Sequence, residues 1–158
     1  MSSKTKIAMF GAGCFWGVEE AFRKLQGVVN TEVGYAGGKS DNTSYQEVCN
    51  GKTGHAEVVR VEYDSKKITY EELLKIFFKI HDPTQMNRQG PDIGYQYRSV
   101  IFYFDSSQEK EALKFIKNEQ RKLDNLIVTS VEKVSTYCKA EEYHQKYIMK
   151  GGKAFCKI

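Results

Sequence analysis

The stretch Gly11-Ala12-Gly13-Cys14-Phe15-Trp16-Gly17 constrains this chain more than any other. It follows the apolar run Ile7-Ala8-Met9-Phe10, which reads as a strand. It precedes Val18-Glu19-Glu20-Ala21-Phe22-Arg23-Lys24-Leu25, which reads as the start of a helix. A cysteine therefore stands where a strand turns into a helix N-terminus. Gly11 and Gly13 permit a tight turn and a close backbone approach there. Unpaired N–H groups at a helix start, with the helix dipole, favour negative charge and so favour thiolate over thiol. Phe15 and the single tryptophan, Trp16, follow at once and supply apolar walls beside a nucleophile. A buried strand-end thiol with two core aromatics is the competing interpretation; the flanking glycines and the helix start favour the nucleophile.

The strand His55 to Tyr63 alternates with period two, and the face carrying His55, Glu57, Val59, Val61 and Tyr63 is the more apolar. Glu57 is thereby expected to point inward. A buried carboxyl avoids ionisation, so desolvation should raise its pKa and leave it a proton donor. Gly27 to Tyr35 reads as another strand, Tyr45 to Cys49 as a short helical turn, and Ala36 to Ser44 as a loop. Thr69-Tyr70-Glu71-Glu72 has capping-box spacing and opens a helix through Ile80 that Pro83 stops. Ser106-Ser107-Gln108-Glu109 repeats that pattern before a helix to about Leu123. Arg98 to Phe104 and Ile127 to Val134 read as strands, and Glu141 to Met149 as a terminal helix. Thr84 to Gln96 has no apolar period, and a loop that long inside a domain is usually functional. Strand, helix, strand, strand, helix, strand predicts an α+β fold: a two-layer ferredoxin-like (split βαβ) sandwich with a mixed sheet and long loops.

At 158 residues the chain fits one domain over 1–158, with a mobile C-terminal tail from about 150 to 158. Its 41% hydrophobic and 28% charged residues are those of a soluble globular protein, and a formal charge of +4 is too mild and scattered to imply nucleic acid. No apolar run spans a bilayer and Met1 to Lys6 open no signal sequence, which points to a cytoplasmic monomer with no membrane partner. The four cysteines, Cys14, Cys49, Cys138 and Cys156, match no zinc spacing, so neither metal nor cofactor is expected and redox use is favoured over structural disulfides. Cys49, following Val48, reads as a packed thiol, and His55, His81 and His144 as hydrogen-bonded structural residues. Two other functions compete: a cysteine hydrolase with His55 as base, and an RNA-binding module using Arg98 to Phe104, which lacks the Gly-aromatic pattern of such strands.

Gly13-Cys14-Phe15-Trp16-Gly17 resembles the GCFWG motif of the A-type peptide methionine sulfoxide reductases. Tyr45-Gln46-Glu47-Val48-Cys49-Asn50-Gly51-Lys52-Thr53-Gly54-His55-Ala56-Glu57 is similar to a second segment of that family. His81-Asp82-Pro83-Thr84 with Asn87-Arg88-Gln89-Gly90, Asp92, Gly94 and Gln96-Tyr97-Arg98-Ser99 is similar to a third, and Ala140 to Gln145 to a fourth. The resemblance implies thiol-dependent reduction of methionine S-sulfoxide, free or in proteins, as repair under oxidative stress. Cys14 would be the nucleophile and Glu57 the acid. Tyr45, Tyr97 and Asp92 would complete the catalytic set, and Phe15 and Trp16 would take the S-methyl group. Attack leaves Cys14 as sulfenic acid, which condenses with a second thiol. Cys156, just beyond Gly151-Gly152, falls where the family's resolving cysteine lies; Cys138 is the second candidate. Thioredoxin or another dithiol would then reduce the disulfide. The approach to the fourth segment, Thr136-Tyr137-Cys138-Lys139, departs from the family pattern and leaves Cys138 unexplained.

Overall fold

The computed structural model describes residues 5–151. In chain order it contains β1 (Thr5–Ala12), α1 (Phe15–Arg23), β2 (Val28–Ala36), α2 (Tyr45–Cys49), β3 (Ala56–Asp64) and α3 (Tyr70–Lys79). Then come the short β4 (Arg88–Gln89) and β5 (Asp92–Ile93), a 3-10 turn at Tyr95–Tyr97, β6 (Ser99–Tyr103) and α4 (Ser106–Gln120). β7 (Ser130–Lys133), β8 (Tyr137–Lys139) and a 3-10 turn at Glu142–His144 complete it. Residues 8–12 of β1 are all buried, as suits a strand covered on both faces. β1 accordingly lies mid-sheet, in the order β7-β6-β1-β3-β2-β8. The β6–β7 pair is parallel and every other pair antiparallel. The split βαβ sandwich with a mixed sheet is thus the architecture observed.

One face of the sheet meets α1 and α3. Phe10 of β1 stacks on Phe22 of α1 and on Phe77 of α3, each with ring centroids 5.2 Å apart. Val59, Val61 and Tyr63 of β3 join that core. The opposite face buries Met9, Ala36, Ala56, Val58, Val100 and Phe102 beneath Val134 and Tyr137. Both faces of β3 are therefore covered at its start, which the alternation alone did not indicate.

Several elements differ from their sequence expectation for identifiable reasons. The helix after β6 is capped by Asp105, whose carboxylate accepts from the Gln108 N–H at 2.8 Å, rather than by a Ser106 capping box. Thr69 does form the expected box with Glu72. The last expected strand shrinks to β7 because Ile127 N–H and Val128 N–H are taken by the Gln120 side chain and the Pro83 carbonyl. Glu141 to Met149 is not a helix: the Lys146 N–H goes to Glu19 Oε1 at 2.7 Å, and Lys146 sits at φ +51°. β8, unforeseen, places Cys138 opposite Tyr35. Cys156 and the tail from residue 152 lie outside the described residues.

The topology concentrates chemistry at one end of the sheet. β1 and β2 point the same way, so their C-terminal ends lie beside the N-terminal ends of β3 and β6. The β1–α1 turn, the 37–55 excursion and the 80–98 excursion all leave or enter the sheet there. Cys14, Tyr45, Glu57, Asp92 and Tyr97 belong to those segments or to the strand ends they join.

Candidate active site

Cys14 is the N-cap of α1 and is buried. The turn that delivers it depends on Gly13, at φ +99°, where a Cβ would stand 2.9 Å from the Cβ of Gln89. Gly11 lets three strands close up: a Cβ there would meet Val100 at 2.8 Å and the Glu57 carbonyl at 3.1 Å. These two glycines therefore serve the tight turn and the close approach expected of them.

Glu57 is 1% exposed, on the face expected from the alternation. Its Oε1 accepts the Phe15 N–H at 3.2 Å, so the carboxyl abuts the start of the helix that Cys14 caps. Its Oε2 accepts from Gln96 Nε2 at 3.1 Å. Burial raises its pKa to about 8, against the two hydrogen bonds that lower it; the charge of Asp92 adds to the rise. Glu57 thus keeps its proton at neutral pH, as the inward orientation predicted. Asp92 is half-buried on the β4–β5 hairpin.

Tyr45 opens α2, whose N-cap Ser44 and Glu47 form a reciprocal capping box. Burial, then the charge of Glu57, raise the pKa of Tyr45 and of Tyr97, so both phenols stay protonated and able to donate. Tyr45 also interacts with Cys49 and Tyr97. The five catalytic candidates therefore converge in one network or on its border. Phe15 and Trp16 divide their work. Phe15 is fully buried between Tyr35, Tyr45 and His144, whereas Trp16 is half-buried at the rim.

Residues outside the five catalytic candidates hold this arrangement, His144 among them in the hydrogen-bonded structural part expected of it. Trp16 Nε1 donates to His144 Nδ1 at 2.9 Å, and its ring stacks on Tyr147 at 4.0 Å. Because indole N–H only donates, His144 Nδ1 must be the unprotonated nitrogen. Burial lowers the pKa of His144, consistent with a neutral ring. Glu141 accepts from the Tyr35 hydroxyl at 2.8 Å and from the Tyr45 N–H at 3.0 Å. Arg98, buried, donates to the Tyr95 and Gly54 carbonyls and ties the turn carrying Tyr97 to the approach of β3. No periodicity or spacing flags such long-range hydrogen bonds.

The remaining cysteines and histidines separate. Cys49 is exposed rather than packed, because α2 ends there, and its Sγ accepts from Gln96 at 3.3 Å. Cys138 is half-buried and fixed by the pairing of β8 with β2. His55 accepts from the Gly38 N–H and meets the Ser40 carbonyl, so both ring nitrogens are committed to the 38–40 loop. That commitment opposes a Cys14–His55 hydrolase. His81 lies between the Phe77 carbonyl and Ser99 Oγ. Among the described residues, no group of three or more His, Cys, Asp or Glu side chains is arranged to hold a metal ion, and no helix is long and apolar enough to cross a membrane.

Comparison with known proteins gives this geometry its context. The family model for peptide methionine sulfoxide reductase matches residues 6–158. The peptide methionine sulfoxide reductase MsrA of Methanothermobacter thermautotrophicus is 51% identical over 98% of this chain and 92% of its own length. That of Methanococcus maripaludis is 55% identical over 94% of each. The crystal structure of reduced Mxr1 from Saccharomyces cerevisiae superposes with a TM-score of 0.92 at 42% identity, covering 99% of this chain and 91% of that one. Mxr1 in complex with Trx2 superposes with a TM-score of 0.66 at 31% identity, over 93% and 87%. A thiol at a helix start, a protonated buried carboxyl beside it and a full-length match of this quality lead to one assignment: the chain belongs to the peptide methionine sulfoxide reductase family, A type, and is a peptide-methionine sulfoxide reductase.

Proposed function

We propose that the chain reduces the S epimer of methionine sulfoxide through Cys14 and Glu57, and that thioredoxin recycles it. The observation that carries this reading is the protonated Glu57 carboxyl bonded to the Phe15 N–H, one residue from the Cys14 nucleophile. Cys14 attacks the sulfoxide sulfur while Glu57 protonates the oxygen, because oxide is a poor leaving group. Each Glu57 oxygen already accepts one N–H from the protein, so the acid proton is left for the substrate. Tyr45 and Tyr97 donate to the same oxygen and stabilise the charge that develops on it. Trp16, with Phe15 behind it, forms the wall for the S-methyl group, worth about 1 kcal/mol for one buried methyl. Asp92 orients the polar side of the site. Oxygen passes to Cys14 as sulfenic acid and methionine leaves; condensation with a second thiol then releases water and forms a disulfide.

Cys156 is the resolving thiol in this reading, with Cys138 second. A disulfide requires Cα atoms within about 7 Å, and the β2–β8 pairing gives Cys138 little freedom to approach. The Mxr1–Trx2 complex of a structural relative supports thioredoxin as the reductant. The whole chain acts as one catalytic domain, a monomer in the cytoplasm. Separated epimers of a methionine sulfoxide derivative with dithiothreitol test the first step: the S form should turn over and the R form should not, and equal turnover would refute the reading. Cys156→Ser should still release one methionine per chain yet lose most thioredoxin-driven activity. Peptide mapping that finds Cys14 joined to Cys138 in the wild-type protein would transfer the resolving role.

A further inference from the structure

We propose that Gln96 is a positioning residue of the reductase site: its side-chain amide, braced by the Cys49 sulfur, orients the Glu57 carboxyl and sets how readily that acid releases its proton. The proposal rests on Glu57 as proton donor. Gln96 is 5% exposed on the 3-10 turn between Asp92 and Tyr97. One amide nitrogen meets two acceptors, Glu57 Oε2 at 3.1 Å and Cys49 Sγ at 3.3 Å. A primary amide has two N–H groups, so both are engaged. Flipping the amide would oblige the Glu57 carboxyl and the Cys49 thiol to donate their protons to its oxygen, so the observed orientation is the one that leaves the acid proton to the substrate. With Phe15 N–H on Oε1, the carboxyl is gripped at both oxygens and its plane is fixed.

The groups facing Glu57 leave Gln96 a distinct task. Tyr35 from β2, Tyr45 from α2 and Tyr97 from the 3-10 turn all stay neutral, and Asp92 from β5 opposes ionisation of Glu57. Cys14 and the Phe15 N–H come from the start of α1. Gln96 is the side chain whose hydrogen bond favours the ionised form against burial. A general acid that holds its proton too tightly donates slowly, and its best acidity lies near the working pH. Removing the amide therefore makes Glu57 a weaker acid in a looser pose.

Two measurements on Gln96→Leu test this. In single-turnover reduction of S-sulfoxide, the basic limb of the pH–rate profile should move up by about half a pH unit or more. The neutral-pH rate should fall about tenfold with KM nearly unchanged. Infrared titration of the Glu57 carboxyl, assigned by difference from Glu57→Gln in a Cys14→Ser background without turnover, should move in the same direction. Cys49→Ala should give a smaller shift of the same sign, and Cys49→Ser, which keeps an acceptor, should largely restore the profile. Gln96→Met makes the same test if Gln96→Leu does not fold. An unmoved infrared titration overturns the proposal outright. A moved titration with an unmoved rate profile overturns Glu57 as the acid, and with it the part of Gln96 in catalysis.

Discussion

Burying a protonated carboxyl at the sheet end makes stability and activity pull in opposite directions, and Glu57→Gln separates them. In the unfolded chain Glu57 ionises near 4.5, whereas in the folded protein it does so at about 8. Folding therefore holds a proton that the unfolded chain releases. The sign follows: this stability is fully present below pH 4.5 and is lost as pH rises toward 8. Each pH unit in that window is worth about 1.4 kcal/mol, so the loss is roughly 3 kcal/mol at pH 7 and roughly 4 kcal/mol by pH 8, where half of the folded protein has released the proton. Glu57 is fully buried, so solvent screening does not diminish it. Glutamine does not titrate. Its amide meets the Gln96 amide differently, but that adds an offset independent of pH.

Urea denaturation of both proteins at pH 5, 6, 7 and 8 isolates the effect, because every other titrating group cancels in the difference. The stability of Glu57→Gln relative to wild type should climb across the series by several kcal/mol, while kcat falls by about 10²–10⁴-fold. A difference that stays flat from pH 5 to 8 would show that Glu57 ionises normally inside the fold. The acid assignment would fall with it.

Three further outcomes follow from neighbouring geometry. Burial lowers the pKa of His81 from 6.5 to about 4, so stability should drop by roughly 3 kcal/mol as pH falls through that window; His81→Gln should flatten the acid limb of a thermal-melt series. Trp16 is the sole tryptophan, so its fluorescence reports its surroundings alone; His144→Phe removes the acceptor of its N–H, and should shift the emission and raise KM for sulfoxide more than it lowers kcat. Gly13→Ala adds a methyl 2.9 Å from Gln89 at φ +99°; it should cost about 1–3 kcal/mol by urea melts and most of the single-turnover rate.

Local signals made the scaffold and the two central groups legible. The strand–turn–helix around Cys14 and the period-two face of β3 are properties of adjacent residues, and they place Cys14 and Glu57 without tertiary information. Naming Tyr45, Tyr97 and Asp92 as candidates needs the resemblance, since nothing local distinguishes two tyrosines from the other eight. The elements after α4 are poorly legible in the sequence because their backbone groups are satisfied by distant partners. Ile127 and Val128 bond to Gln120 and Pro83, and Lys146 to Glu19. Cys49 departs from the packed thiol expected for a related reason: Val48 beside it is buried, but α2 ends at Cys49 and turns it outward.

The segment after β8 explains how the aromatic side of the candidate site is kept in shape. Gln145 spans Val33 like a strand partner, accepting from its N–H and donating to its carbonyl, both at 2.9 Å. The buried Glu19, on the back of α1, receives Thr31 Oγ1 and the Lys146 N–H, each at 2.7 Å. On either side of these anchors Glu141 holds Tyr35 and the start of α2, and His144 with Tyr147 holds Trp16. A helix here would demand that the Lys146 N–H return to the Glu142 carbonyl. Giving it to Glu19 instead sets residues 141–147 across β2 and α1, where their side chains reach the aromatic wall. Each such hydrogen bond contributes only about 1 kcal/mol net, and those to charged groups somewhat more. Together they exceed the roughly 3 kcal/mol that the protonated Glu57 costs at neutral pH. Tyr45, which opens α2, and the Trp16 ring therefore share a support that is remote from both in sequence.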